Sequence, residues 1–98
     1  RDWINVLDHC RAIDLILKKG KTGQIYNIGG QNERCNLDII KLVLNKMGKS
    51  LDLISFVEDR KGHDLRYSVS CDKIKELGWT PKYEFEECLQ SLIEHYKN

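Results

Sequence analysis

Three glycines divide this sequence, because each one closes a segment in which apolar residues recur at helical spacing. The three segments end at Gly20, Gly48 and Gly78. A fourth helical segment follows Pro81, and one face of it carries Phe85, Leu89, Leu92, Ile93 and Tyr96. The pattern therefore predicts four helices. We expect Asp8 to cap the first helix, and either Ser70 or Asp72 to cap the short third one.

Short apolar runs between these helices predict about three short strands. The runs are Trp3–Val6, Gln24–Ile28 and Leu51–Val57, with Tyr67–Val69 as a further candidate. Strands that alternate with helices indicate an α/β fold, or a mixed α+β fold, with a mixed sheet. The sequence thus predicts a single α/β unit.

Composition narrows the class of protein. A chain of 98 residues that is 41% apolar and 32% charged is typical of a globular domain, or of part of one. The net charge of +1 creates no field that would attract nucleic acid or an anionic membrane, and no apolar run approaches the roughly 20 residues that span a bilayer. Because the chain starts at Arg1 without a signal-peptide pattern, we expect a cytoplasmic location and a piece of a longer protein.

The four cysteines occur singly, at Cys10, Cys35, Cys71 and Cys88. No Cys-x-x-Cys pair is present, and His9 beside Cys10 lacks the second half of a zinc site. We therefore expect free thiols in a reducing cytosol and no metal centre. Cys88 lies in a helical pattern and is interpreted as a small packing residue.

The stretch with the strongest candidate binding groups is Glu58–Tyr67, which reads E-D-R-K-G-H-D-L-R-Y. Arg60 and Arg66 offer planar forks of donors that suit phosphate or carboxylate, and Gly62 permits a sharp turn. His63 and Asp64 could form a base with its orienting partner, although adjacency alone does not establish that. The alternative is a solvated turn whose opposite charges pair with one another.

Two further positions have both a structural and a functional interpretation. Asn36 is explained completely as the N-cap of the second helix, and it could also face a ligand at the helix start. Gly29 and Gly30 allow a close backbone approach, yet two glycines are weak evidence for phosphate binding because turns need them as often.

Five motifs, in order, resemble the C-terminal part of the dTDP-glucose 4,6-dehydratase family, within the extended short-chain dehydrogenases/reductases. They are R-D-W-I-N-V-L-D-H at Arg1–His9, Y-N-I-G-G at Tyr26–Gly30, N-E-x-x-N at Asn32–Asn36, D-R-x-G-H-D-x-R-Y at Asp59–Tyr67 and E-L-G-W-x-P at Glu76–Pro81. The matches run across nearly the whole chain. The first and last motifs recur widely in the extended family, whereas the Asp59–Tyr67 motif points to the dehydratases.

The resemblance implies a lyase that binds NAD in a Rossmann domain and dTDP-glucose against a smaller C-terminal domain. Such an enzyme oxidises the sugar at C4, eliminates water across C5 and C6 and returns the hydride to C6, which gives dTDP-4-keto-6-deoxyglucose, usually for rhamnose-type surface sugars. By the same resemblance, residues 1–30 belong to the edge of the Rossmann sheet and residues 31–98 form the substrate-binding domain. Members of the family generally form homodimers.

The resemblance also implies which residues contact the nucleotide diphosphate. These are Arg1, Asn36, Arg60, Lys61, Gly62 and His63. Asn32, Arg66 and Tyr67 are expected either to contact the substrate or to order the loop. The sequence has no G-x-x-G-x-x-G turn, no Tyr-x-x-x-Lys pair and no catalytic Asp-Glu pair. We therefore expect the 98 residues alone to bind no NAD, to be inactive and to hide their unpaired surface by self-association.

Two other functions fit the residues. One is a non-catalytic module that binds a nucleotide or phosphate or that serves oligomerisation. The other is a sibling sugar-nucleotide epimerase or decarboxylase, which would keep R-D-W and Y-N-I-G-G but differ in the Asp59–Tyr67 loop.

Overall fold

The computed structural model describes residues 1–97, and its regular structure is helical. The helices are α1 (Val6–Lys19), α2 (Asn36–Met47), α3 (Asp72–Glu76) and α4 (Phe85–Tyr96), with a single 3-10 turn at Leu51–Leu53. The four predicted helices are thus confirmed. None of the helices in the described part of the chain has the length and apolar character needed to cross a membrane.

Local hydrogen bonds and glycine define the ends of the helices, but Asp8 and Asn36 do not cap α1 and α2 as predicted. Asn5, rather than Asp8, caps α1, because its Oδ1 accepts a hydrogen bond from the Leu7 N–H at 2.8 Å. Asn36 is the first residue of α2 and follows Cys35, whose side chain makes no capping bond, so the predicted Asn36 cap is wrong. Gly48 ends α2 with a φ of 67°, in the left-handed region that glycine adopts without strain.

The predicted α/β fold is wrong for the described residues. Their one β-type pairing is an isolated antiparallel bridge between Asp2 and Glu33, and no sheet forms among residues 1–97. A strand exists only when a neighbouring strand accepts and donates its backbone hydrogen bonds. None of the predicted strands pairs along its length within the described residues, and the side chains of Phe56 and Val57 are 81% and 87% exposed.

The core is small and joins the start of the chain to its middle. Ala12 of α1 and Ile74 of α3 are buried together with Cys71 and Trp79. Partly buried apolar residues surround them, namely Ile4, Leu15, Ile16, Tyr26, Ile28 and Leu77. A second contact, between α2 and α4, lies outside this core. The core therefore holds α1 against the segment that runs from Cys71 to Trp79.

Asp8 is the one buried charged residue among those described. Its carboxylate accepts hydrogen bonds from the Lys82 N–H at 2.9 Å, the Tyr83 N–H at 3.1 Å and the Arg11 guanidinium at 2.6 Å. The Trp79 indole N–H donates to the Asp8 backbone oxygen at 3.1 Å. Asp8 thus ties α1 to the segment before α4, which is a tertiary role rather than the predicted capping role.

Gly29 and Gly30 allow a close approach, but the group that approaches is the chain itself. A Cβ on Gly30 would overlap the backbone oxygen of Trp3, and a Cβ on Gly29 would lie 2.6 Å from Asp2 Oδ2 and 3.0 Å from Cys71 Sγ. Such distances leave no room for a side chain at either position. The glycine pair therefore serves packing around residues 1–4.

The cysteines divide between core and surface. Cys71 is buried, Cys88 is half-buried on α4, and Cys10 and Cys35 are exposed. Burial raises the pKa of the Cys88 thiol, which fits the packing role that the sequence predicts for it. In residues 1–97 no group of three His, Cys, Asp or Glu side chains could hold a metal ion.

Candidate functional site

Arg1 is held in place by a short antiparallel contact between two segments, residues 1–3 and 32–34, which we call the 1–3/32–34 ladder. The Trp3 N–H donates to the Asn32 backbone oxygen at 3.2 Å, and the Arg34 N–H donates to the Arg1 oxygen at 2.9 Å. The Asn32 N–H also donates to Asp2 Oδ1 at 2.8 Å. The ladder therefore places Arg1 on a backbone that is fixed at several points.

The charged segment Glu58–Tyr67 forms an irregular loop that turns at Lys61 and Gly62. The His63 N–H donates to the Arg60 oxygen at 3.3 Å, and Gly62 has a φ of 69°. This value lies in the left-handed region, so glycine relieves strain at the turn. The turn brings the side chains of Arg60 and His63 to the same side of the loop.

Arg1, Arg60 and His63 form one cluster, although Arg1 is 62 residues from His63 in sequence. The Arg1 Nη2 atom lies 2.5 Å from His63 Nε2, and the Arg60 Nη2 atom lies 2.6 Å from His63 Nδ1. Arginine only donates hydrogen bonds, and a neutral imidazole has just one acceptor nitrogen. In one of the two contacts, therefore, an arginine N–H group faces a ring nitrogen that cannot accept its hydrogen bond.

Neither arginine of the Arg1–Arg60–His63 cluster takes part in an ion pair of the described residues. The ion pairs of residues 1–97 involve Arg11, Lys18 and Arg66, and none of them involves Arg1 or Arg60. Two guanidinium groups that converge on one imidazole without a carboxylate repel one another. An anion with several oxygens would accept from all three side chains and remove that repulsion.

Tyr67 and Asp64 border the cluster. The Arg1 guanidinium lies over the Tyr67 ring, 4.3 Å from its centre, in a cation–π contact. A hydrogen bond to the Asp64 carboxylate, together with its negative charge, raises the pKa of the Tyr67 hydroxyl. The Asp64 carboxylate thus bonds to Tyr67, whereas both ring nitrogens of His63 face arginines. The structure therefore does not support His63 as a base that Asp64 orients.

Arg66 pairs with Glu33 of the ladder. Its Nη2 atom lies 2.7 Å from Oε2 of Glu33, and its Nε atom donates to the second carboxylate oxygen, Oε1. The pair lowers the pKa of the Glu33 carboxyl and raises that of Arg66. Sequence reasoning did not single out Glu33, because 33 residues separate it from Arg66 and no local pattern links them.

The remaining predicted site residues lie outside these contacts. The Asn32 side chain accepts a hydrogen bond from Arg34 Nε at 2.9 Å and so takes part in ordering the ladder. Asn36 and Lys61 are exposed, and among residues 1–97 no hydrogen bond joins either side chain to the Arg1–Arg60–His63 cluster. Their contact with a ligand stays a prediction.

Similarity to known proteins establishes the family of the chain. The profile of the GDP-mannose 4,6 dehydratase family matches residues 1–92. The chain therefore belongs to the GDP-mannose 4,6 dehydratase family. Because the matched region contains Arg1, Arg60 and His63, the whole cluster lies within it.

Individual relatives agree with that assignment. The chain is 45% identical to the low-salt glycan biosynthesis protein Agl12 of Haloferax volcanii, over 98% of this chain and 31% of that protein. It is 42% identical to a dTDP-glucose 4,6-dehydratase of Streptomyces niveus, over 100% of this chain and 30% of that enzyme. The resemblance predicted from the motifs is confirmed.

A solved structure supports the same relationship. The dTDP-glucose 4,6-dehydratase of Bacillus anthracis, in complex with NAD, superposes with a TM-score of 0.91 at 44% identity. The superposition covers 99% of this chain and 31% of that one. The chain thus spans about 30% of the length of the relatives it matches.

Proposed function

We propose that this chain is the substrate-binding part of an NAD-dependent dTDP-glucose 4,6-dehydratase, a lyase. In this proposal the Arg1–Arg60–His63 cluster binds the diphosphate of dTDP-glucose, which the full-length enzyme converts to dTDP-4-keto-6-deoxyglucose. The observation that carries the proposal is the convergence of two arginines on His63, with neither arginine in an ion pair of the described residues. The similarity to dTDP-glucose 4,6-dehydratases supports the choice of a dTDP-sugar diphosphate as that anion.

A diphosphate fits the chemistry of the cluster. Guanidinium groups bind phosphate oxygens in pairs of short, charge-assisted hydrogen bonds. When both arginines bind phosphate, the ring N–H of His63 is free to donate to a third phosphate oxygen. No N–H group then faces another donor. The Tyr67 ring, beneath Arg1, then limits the directions in which that guanidinium can turn.

NAD is assigned to other parts of the full-length protein. A dinucleotide binds where a strand leads through a glycine-rich turn into a helix. Gly29 and Gly30 are followed by a loop, and their Cα atoms pack against Asp2 and Trp3, so this pair does not fit the cofactor. We therefore derive no chemical step through NAD from these residues.

A place within a larger enzyme also explains the large radius of the chain and its exposed apolar side chains. Its radius of gyration is 16.4 Å, whereas about 13 Å is usual for a compact domain of 100 residues. Large apolar side chains are exposed, among them Leu17, Ile25, Phe56, Val57 and Leu65. We propose that residues 1–30 border the cofactor-binding sheet of the full-length enzyme, that residues 31–98 form its substrate-binding domain, and that the enzyme is a homodimer.

The diphosphate assignment is tested by titrating the full-length protein with dTDP in a calorimeter. Replacing Arg60 with alanine removes charge-assisted bonds that each contribute about 1.5–3 kcal/mol, so we expect affinity to fall by about tenfold to a hundredfold. Lys19→Ala removes the same charge from the exposed end of α1 and is the matched control. Equal affinities of the two variants would place the diphosphate elsewhere.

The exposed apolar surface leads to a second expectation. Light scattering of the 98-residue chain on its own should report species larger than 11.5 kDa, with a mass that rises with concentration. The charge substitution Phe56→Glu, at a side chain that is 81% exposed, should shift the distribution towards the monomer. A monomer at every concentration would show that the surface does not drive association.

A further inference from the structure

The loop that carries Arg60 and His63 has little support of its own. No helix or strand occurs between Ile54 and Cys71, and the Leu65 side chain is 98% exposed. A loop with few buried contacts opens easily. The position of Arg60 and His63 beside Arg1 therefore depends on contacts that hold the loop against the 1–3/32–34 ladder, of which the stacking of Arg1 on Tyr67 is one.

The pair formed by Glu33 and Arg66 supplies such a contact. Glu33 lies opposite Asp2 in the ladder, one residue along from Arg1. Arg66 follows His63 by three residues, and three residues of extended chain span at most about 10 Å. Fixing Arg66 to the ladder therefore limits how far His63 can move from Arg1.

The geometry of this pair indicates a positioning role rather than a ligand-binding one. Both carboxylate oxygens of Glu33 accept from the same guanidinium, which fixes the orientation as well as the distance of the two groups. The contact with Arg66 also lowers the pKa of the Glu33 carboxyl, as a pair of opposite charges does. Arg66 is thus already neutralised, whereas Arg1 and Arg60 are not.

We propose that Glu33 and Arg66 are positioning residues that hold the Arg60–His63 turn beside Arg1, so that the three donors meet one diphosphate. The inference rests on the proposed function and assigns Arg66 to Glu33 instead of to the substrate. Without the pair, mutual repulsion within the cluster separates the loop from the ladder.

A charge reversal in the full-length protein tests the proposal, with dTDP as the probe. We expect Glu33→Gln and Arg66→Gln each to weaken dTDP binding about tenfold, because displaced binding groups lose their geometry. The double variant Glu33→Arg/Arg66→Glu re-forms the pair with its charges exchanged and should recover affinity to within about threefold of the original protein. If the reversal binds no better than the single variants, the ion pair is not what supports binding and the proposal is wrong.

Two controls separate the possible results. Asp14→Asn removes an exposed ion pair with Lys18, 2.8 Å long, and should leave dTDP binding unchanged. Thermal midpoints should not move in the Glu33 and Arg66 variants, and an affinity loss seen only with a lowered midpoint would overturn the positioning role. If the original protein does not bind dTDP, the proposed function fails. If it binds and Arg60→Ala weakens it while Glu33→Gln does not, only the present inference fails.

Discussion

Replacing Trp79 with alanine should lower the free energy of unfolding by about 4 kcal/mol, within the range of about 3–5 kcal/mol for removal of a buried aromatic side chain. The Trp79 side chain is 1% exposed and belongs to the core cluster that contains Ala12 of α1 and Ile74 of α3. Alanine at this position leaves a cavity in a core that has few other members. It also removes the hydrogen bond from the indole N–H to the Asp8 backbone oxygen.

Urea unfolding of the 98-residue chain, followed by circular dichroism, measures this loss. Leu65→Ala is the matched control, since that side chain is 98% exposed and its removal should change stability by less than about 0.5 kcal/mol. Trp79→Phe should fall between the two, because phenylalanine refills most of the cavity. Equal stability of the Trp79→Ala and Leu65→Ala variants would show that Trp79 is not a core residue.

Asp8→Ala should destabilise the protein by about 2 kcal/mol, because it removes the buried acceptor of two partly buried backbone hydrogen bonds. The donors are the N–H groups of Lys82 and Tyr83, and Arg11 also loses its partner. Asp8→Asn keeps one acceptor oxygen, so we expect a smaller loss. The measurement is again the free energy of unfolding in urea.

Asp14 provides the comparison on the same helix. Its carboxylate is 62% exposed and pairs with Lys18, so Asp14→Ala should change stability by no more than about 0.5 kcal/mol. A loss at Asp14 as large as that at Asp8 would mean that helix charge, rather than the link to the segment before α4, sets the effect. The contrast therefore isolates the tertiary role of Asp8.

Local patterns in the sequence are sufficient to predict the helices and the turn in the charged loop. An α-helix bonds each N–H to an oxygen four residues earlier, so apolar spacing and terminal glycines such as Gly48 carry most of the information. Gly62 marks the turn for the same reason, because its left-handed conformation is a local requirement. The D-R-x-G-H-D-x-R-Y motif around Arg60 likewise indicates the family, because the order of its residues is distinctive.

Features that depend on distant residues could not be found in this way. The predicted strands failed because strand bonds come from a separate segment, and residues 24–28 and 51–57 have none beside them among residues 1–97. Asp8 looked like a cap because its partners lie more than 70 residues away. Glu33 appeared in the N-E-x-x-N motif, but its role carried no signal, since that role depends on Arg66, 33 residues later.

Neighbouring residues, and motifs in a fixed order, are enough to specify where the helices form, where the charged loop turns and which family the chain belongs to. The folded chain was needed to establish that Arg1 meets Arg60 and His63, that Asp8 joins two distant segments and that Glu33 holds Arg66. The reason is physical: hydrogen bonds and ion pairs act over a few ångströms, and only folding brings those groups within that range.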